Sequence, residues 1–333
     1  MPTVTPTHPP FVLHYGDVLD AYDAWAKPSL IMSDGAYGVG GFPGDPHDPD
    51  RLDEWYAPHI AKWSEHATPA TTLWFWNTEV GWATVHPLLK AHGWQYEGSH
   101  TWDKGVGQVA GNVNSKTIRR FPVVTELCVF YSRKLTLLSP AGDALPVKEW
   151  LRNEWLRSGL TLNRANEACG VKSAATRKYL AQDRLWYFPP GEMVAAMAAY
   201  LTQHGKQTQV PYFSIDGEGP VTASAWDALR YVWTHQHGVT NVWNTPTLRD
   251  HERIRVTTGG LKSAHLNQKP LELMRRILTA ASAPGDVVWE PFGGLCSGSV
   301  AAVELGRRAF AAEPTKTFHD LAAKRLGVVG GAQ

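Results

Sequence analysis

No apolar run in this 333-residue chain reaches the roughly 20 residues of a membrane-spanning helix, so none is expected. The start, MPTVTPTHPP, lacks the basic-then-apolar pattern of a secretory signal. There are only three cysteines, Cys128, Cys169 and Cys296, far apart and without a CxxC pair. That argues against a disulfide scaffold and for a reduced, cytoplasmic setting. No His, Cys, Asp or Glu group has metal-ligand spacing, so no metal is expected; His235 and His237 read as surface. Net charge is +1, which announces no polyanionic partner through bulk electrostatics. Low-complexity tracts and internal repeats are also missing.

What is there is the pattern of an α/β protein. Short apolar runs at 28–32 (PSLIM), 71–77 (TTLWFWN) and 126–133, with a further strand-like segment at 96–104, alternate with turns and with a helix-like stretch over 83–92. Strands spaced by helices predict a mostly parallel sheet. From about residue 138 the character changes. Residues 147–205 read as several helices and 207–260 as loop-rich sequence with Pro211, Pro220 and Pro246. The α/β pattern then returns: an amphipathic helix over 270–281, a strand at 286–291, a glycine turn, a helix, and a strand at 308–314. This predicts one discontinuous domain, 1–137 with 261–333, interrupted by an insert, 138–260.

Two places carry chemistry. The strand–turn–helix–strand unit near the C-terminus has glycines at 293, 294 and 298, where backbone can approach a ligand closely, and ends in Glu313, placed for ribose hydroxyls. There is no strict GxGxxG. The second place is Asp34-Gly35-Ala36-Tyr37, directly after the PSLIM strand, at the carboxyl end where such sheets bind ligands. Alone it reads as a turn. Yet a carboxylate, an adjacent carbonyl and an aromatic ring are what methylation of an exocyclic base amine requires: two acceptors for the amino hydrogens and a surface to hold the flipped base. Trp74, Trp76 and Trp82 read as core and cleft wall, with Trp76-Asn77 at a strand end beside that pocket. Methylation at carbon 5 of cytosine would need an activated thiolate, and no cysteine follows a proline in such a loop.

In order along the chain, GDVLDAYDAW, SDGAY, WDKG, FYSRK, VWNTP with ERI, HLNQKPLELMRRIL and EPFGG resemble the motifs of the beta-class amino DNA methyltransferases. The resemblance spans roughly the first 135 and last 80 residues. It implies a Rossmann-like α/β methyltransferase sheet with helices on both faces and a mainly helical target-recognition insert. It also implies S-adenosylmethionine as methyl donor and double-stranded DNA as substrate, with a cognate restriction enzyme as an optional partner and a monomer or homodimer as the assembly. By position, Asp34, the Gly35 carbonyl and Tyr37 fill the catalytic (D/N/S)PP(Y/F) slot, while Asp17, Lys269, Phe292, Gly294 and Glu313 fall to the cofactor. Aspartate at the head of the motif favours adenine N6 over cytosine N4. Two departures stand out: Gly35-Ala36 replace the proline pair, and Gly294-Leu295-Cys296 stand where the family has GSG, either with Cys296 on a glycine position or in a longer loop.

Within the insert, LTLNRANEACGVKSAATRKYL (160–180) has the cadence of a helix-turn-helix that would bring Arg177 and Lys178 to DNA; a helical hairpin with a basic face is the alternative. Lys116, Arg119 and Arg120 form a second basic cluster that could meet phosphates, with a solvated face as the alternative. The rivals to a DNA methyltransferase are a non-catalytic DNA-binding protein on a degenerate scaffold and an enzyme acting on RNA or protein.

Overall fold

The computed structural model describes residues 9–41, 44–108, 119, 121–248, 252–256, 262–264 and 267–330. It divides into two units, 1–133 with 231–333, and 134–230. The first unit begins with β1 (Phe11–Tyr15), β2 (Leu30–Ser33), α1 (Leu52–His66), β3 (Thr72–Asn77), α2 (Glu79–Ala91), β4 (Trp94–Asp103) and β5 (Thr125–Arg133). The second, next in sequence, holds a hairpin of β6 (Thr136–Leu138) and β7 (Ala144–Pro146), then α3 (Val147–Leu156), α4 (Arg164–Ala168), α5 (Gly191–His204) and α6 (Ala223–Asp227). The chain rejoins the first unit with β8 (Val242–Trp243), β9 (Arg255–Val256), β10 (Lys262–Ser263), α7 (Leu271–Ala281), β11 (Val287–Glu290), α8 (Ser297–Glu304), β12 (Arg308–Glu313) and α9 (Lys316–Gly330).

The main sheet of the first unit has the order β1-β12-β11-β2-β3-β5-β4-β8. Pairing is parallel from β1 through β3 and antiparallel between β3 and β5 and between β5 and β4. From β2 the chain crosses by α1 to β3 on one side; from β11 it crosses by α8 to β12 on the other. The neighbouring strands β2 and β11 therefore flank the point where the winding reverses, and a crevice must open beyond their carboxyl ends.

Strand residues alternate between two cores, as the period of two requires. Leu30, Met32, Trp74, Trp76, Val288, Ala309 and Ala311 face α7, α8 and α9. Ile31, Leu73, Phe75, Trp289, Phe310 and Ala312 face α1 and α2. With both faces covered, these strands read in sequence as continuous apolar runs. Helix α7 turns Leu273, Met274, Ile277 and Leu278 inward, the face its spacing predicts.

The second unit has a core of its own, with Trp150, Trp155, Met197, Leu201 and Trp226 among its buried side chains. Over 160–180, where a helix-turn-helix or a helical hairpin is expected, the chain forms two short helical segments joined by a turn. Helix α4 is followed by Gly170 in a left-handed conformation and then by a single π-helical turn, Ala175–Tyr179. Asn166 links the two segments, donating to Thr176 Oγ1 at 3.1 Å while its Oδ1 accepts the Thr176 amide at 3.3 Å. The boundary differs from the sequence reading: the described residues 231–248 and 252–256 belong with the sheet's unit, not the insert. Strand β8 extends the sheet beside β4, and the Trp102 indole donates to the Thr245 carbonyl at 2.7 Å. A two-residue strand carries too little pattern to be read from sequence.

Candidate active site

A cleft of about 650 Å³ lies at the reversal point, within the range of small-molecule sites. Asp34, Gly35 and Tyr37 line it after β2; Phe292 and Gly294 line it after β11; Asp17, Lys269 and Glu313 complete it. The eight residues named from sequence for catalysis and cofactor thus share one cavity.

At the end of the cleft that follows β2, Tyr37 donates its hydroxyl to Asp34 Oδ1 at 2.9 Å. Lys269 Nζ reaches both Asp34 oxygens, at 2.7 and 2.9 Å, and Glu126 at 3.2 Å, and Lys104 closes the cluster on Glu126 at 3.0 Å. Two carboxylates and two ammonium groups balance in charge, which is what burial of such groups demands. Burial would push the Lys269 ammonium down, but Asp34 and Glu126 outweigh it and keep it protonated. Burial likewise raises the Glu126 carboxyl, and Lys269 and Lys104 overrule it, holding it below the usual range. Burial, with the charge of Asp34 next, drives the Tyr37 phenol well up, so it remains a donor. Lys269, which the resemblance assigns to the cofactor, is thus bonded to Asp34 and Glu126.

The backbone here is held from several directions. Tyr56 Oη and Asn77 Nδ2 both donate to the Ala36 carbonyl, at 3.0 and 2.8 Å. Among the described residues no donor engages the Gly35 carbonyl. Gly35 itself has no room for a side chain: a Cβ would stand 2.6 Å from Phe292 Cδ2 and 2.8 Å from Tyr56 Oη. Asp45, buried, accepts amides from Tyr37, Gly38, Val39 and Gly41 at 2.8 to 3.2 Å.

At the other end Glu313 closes β12 and accepts amides from Gly294 at 2.9 Å and Thr315 at 2.7 Å. The Gly16 amide bonds to the Glu313 carbonyl, setting Asp17 beside it, where it caps a short 3-10 turn. Glu290, at the end of β11, accepts from the Gly298 amide and from the amide and hydroxyl of Ser299; burial raises it to about 7. Phe292 lies against His59 at a centroid distance of 4.9 Å, and burial drops the imidazole to about 4. Cys296 adopts φ 54°, immediately before α8. A left-handed backbone is where a glycine is at home, which supports Cys296 occupying a glycine position over a longer loop.

Glu126, Asp45 and His59 line the cleft, and Tyr56 backs it, without being singled out by the sequence; Lys104 and Glu290 lie within WDKG and EPFGG but are given no role there. Lys116 and Arg120 lie outside the described residues; Arg119, Arg177 and Lys178 are exposed. Asp23, Glu65 and His66 form a metal-compatible group that the sequence does not reveal, but Lys62 already bridges the two carboxylates at 2.8 and 3.2 Å. Among the described residues no helix is long and apolar enough to cross a membrane.

Comparison with known proteins agrees with this geometry. M.HinfI of Haemophilus influenzae, a type II methyltransferase, is 36% identical over 86 residues, 26% of this chain and 23% of that protein. The DNA adenine methyltransferase YhdJ of Escherichia coli K12 is 32% identical over 96 residues, 29% of this chain and 30% of YhdJ. The matched stretches thus span under a third of these curated relatives. In fold, the chain is similar to the S-adenosylmethionine complex of M1.HpyAVI, with TM-score 0.52, 14% identity and coverage of 95% and 98% of the two chains. It is also similar to the cytosine-N4-specific PvuII DNA methyltransferase, with TM-score 0.53, 10% identity and coverage of 98% and 95%. A family model described as DNA methylase, of the N6/N4 amino-methyltransferase type, matches residues 28–324, and the chain belongs to that family.

Proposed function

We propose that this protein transfers a methyl group from S-adenosylmethionine to the exocyclic amine of a base flipped out of duplex DNA, adenine N6 in preference to cytosine N4. The observation that carries the reading is the meeting of Asp34-Gly35-Tyr37, after β2, with the Phe292–Gly294 turn, after β11, in one cleft at the reversal point of the sheet. The residues fit the cofactor. Glu313 and Asp17, side by side, suit a ribose diol, and Phe292 offers an apolar wall. The carboxylates of Glu290 and Glu313 suit a ligand bearing cationic groups. When bound, S-adenosylmethionine supplies an activated methyl group.

An aromatic amine is a weak nucleophile because its lone pair is delocalised into the ring. Asp34 and the Gly35 carbonyl accept its two hydrogens and favour a pyramidal nitrogen with the lone pair released. Tyr37 provides the face against which the base rests. Asp34 is already covered by Lys269 and Tyr37, so an arriving amine must take one of its oxygens from the ammonium, and Glu126 gives that ammonium a second carboxylate.

The adenine preference rests on Asp34 at the head of the motif and on the match to YhdJ, an adenine enzyme by name. In the second unit, the Asn166–Thr176 link supports a working helix-turn-helix with Arg177 and Lys178 directed at DNA. The test is methyl transfer from labelled S-adenosylmethionine to mixed-sequence duplex DNA, read by nucleoside mass spectrometry, for wild type and Asp34→Ala. Label in N6-methyladenine that disappears in the variant is expected. Label in N4-methylcytosine would reassign the base, and no label on DNA would defeat the reading.

A further inference from the structure

The family's catalytic motif carries two prolines where this chain has Gly35 and Ala36, and a proline fixes φ near −65° by its ring. Without them the backbone that presents Asp34 and the Gly35 carbonyl would be free to rotate, and glycine is the residue with most freedom to lose. The structure shows what replaces the rings. The peptide plane joining Ala36 to Tyr37 is gripped at both ends. Its carbonyl accepts from Tyr56 Oη at 3.0 Å and Asn77 Nδ2 at 2.8 Å, and its amide donates to Asp45 Oδ1 at 3.1 Å.

Three hydrogen bonds from opposite sides define the orientation of a plane, and here all three partners are buried: Tyr56 and Asn77 at 0% exposure and Asp45 at 5%. Asp45 also gathers the amides of Gly38, Val39 and Gly41, so the loop leaving the motif is tied to the same carboxylate. The Tyr56 hydroxyl and the Phe292 ring meanwhile fill the space beside Gly35. Partners on α1, on β3 and in the loop before α1 thus converge on one peptide group, next to the carbonyl that is to receive the amine.

We propose that Tyr56, Asn77 and Asp45 are positioning residues that take over the role of the missing prolines, holding the Gly35 carbonyl and Asp34 in the geometry for amine methylation. Tyr56 and Asn77 lie behind the cleft lining, and Asp45, at its edge, spends both carboxylate oxygens on backbone amides, so all three act through the motif backbone. The proposal rests on the methyltransferase reading for its kinetic consequence, whereas the brace itself is measurable on the unliganded protein.

Tyr56→Phe and Asp45→Asn remove hydrogen-bonding capacity at nearly constant shape. Tyr212→Phe serves as a control, since Tyr212 is likewise buried and its hydroxyl donates to the Lys206 carbonyl within the second unit. The first readout is deuterium exchange at the amides of Tyr37, Gly38, Val39 and Gly41; the second is kcat, KM for unmethylated plasmid DNA, and Kd for S-adenosylmethionine. Both variants should speed exchange about tenfold or more, and lower kcat by roughly 10- to 100-fold, the order expected for a misplacement near 1 Å. Cofactor Kd should stay within about twofold, since these groups add no contact to it. The control should leave exchange and kcat unchanged even where it lowers the melting temperature.

Unchanged exchange in both variants would overturn the brace. Faster exchange with unchanged kcat in an active enzyme would overturn its positioning role. If wild type methylates no DNA, the functional reading fails separately, and faster exchange in the variants would still support the backbone brace.

Discussion

Restoring a side chain at position 35 should harm this protein, although the motif it resembles has a proline there. A Cβ built on Gly35 stands 2.6 and 2.7 Å from two carbons of the Phe292 ring and 2.8 Å from the Tyr56 hydroxyl. Ordinary contact begins near 3.4 Å, so one neighbour must retreat by roughly 0.8 Å. Neither is loose: Phe292 lies among Trp55, His59, Tyr56 and Trp63, at centroid distances of 4.9 to 6.2 Å, and Tyr56 is anchored on the Ala36 carbonyl. Overpacking of this kind costs about 1–3 kcal/mol of stability. The same displacement moves a carbonyl that must meet an amine, so Gly35→Ala should lower kcat by about 100-fold. Gly35→Pro should do no better, because its ring begins with the same Cβ. The assay is label transfer to duplex DNA alongside thermal denaturation. A Gly35→Ala protein with wild-type rate and melting temperature would refute the packing argument outright.

Two further outcomes follow from charges on the surface and in the cleft. Burial raises Glu290 to about 7, so the fold favours its acid form; the associated stability is full below the ordinary carboxyl range and is lost as pH rises through 7. Over that interval the unliganded protein should lose roughly 3 kcal/mol, and Glu290→Gln should flatten the dependence in denaturant titrations between pH 5 and 8. Replacing Arg177 and Lys178 together by alanine should weaken DNA binding and reduce the slope of log affinity against log salt by about 2, one unit for each phosphate no longer neutralised. An unchanged slope in fluorescence anisotropy would remove the short helix-turn-helix from the interface.

How much of this is visible in the sequence depends on where the information lies. Strands β2, β3, β11 and β12 are buried on both faces and so announce themselves as apolar runs ending at turns. The turns at their carboxyl ends, with Asp34 and Phe292 on them, are therefore locatable from the sequence alone. Glu126 is not. It opens β5, and only the antiparallel return beside β3 and β4 brings a strand's beginning to the edge where the others end. Tyr56 and Asp45 are hidden for a related reason. One looks like any helical core tyrosine and the other like any turn aspartate, until the fold points both at the same peptide. The end of the insert escapes a sequence reading because β8 contributes two residues, too few to show alternation.

The order of strands in space also has a consequence for how the chain reaches this state. β1 pairs with β12, and one edge of β2 pairs with β11, so both wait for partners that leave the ribosome more than 250 residues later. Until then the two strands expose unsatisfied backbone donors and acceptors, the template on which β-rich intermediates associate. Contacts of such long sequence separation fold slowly, because the loop must close before any pairing compensates. Biogenesis should thus depend on temperature and on chaperone supply more than the finished protein's stability suggests. A chain cut short before β11 should accumulate as aggregate, even though every residue of the catalytic motif has already been made.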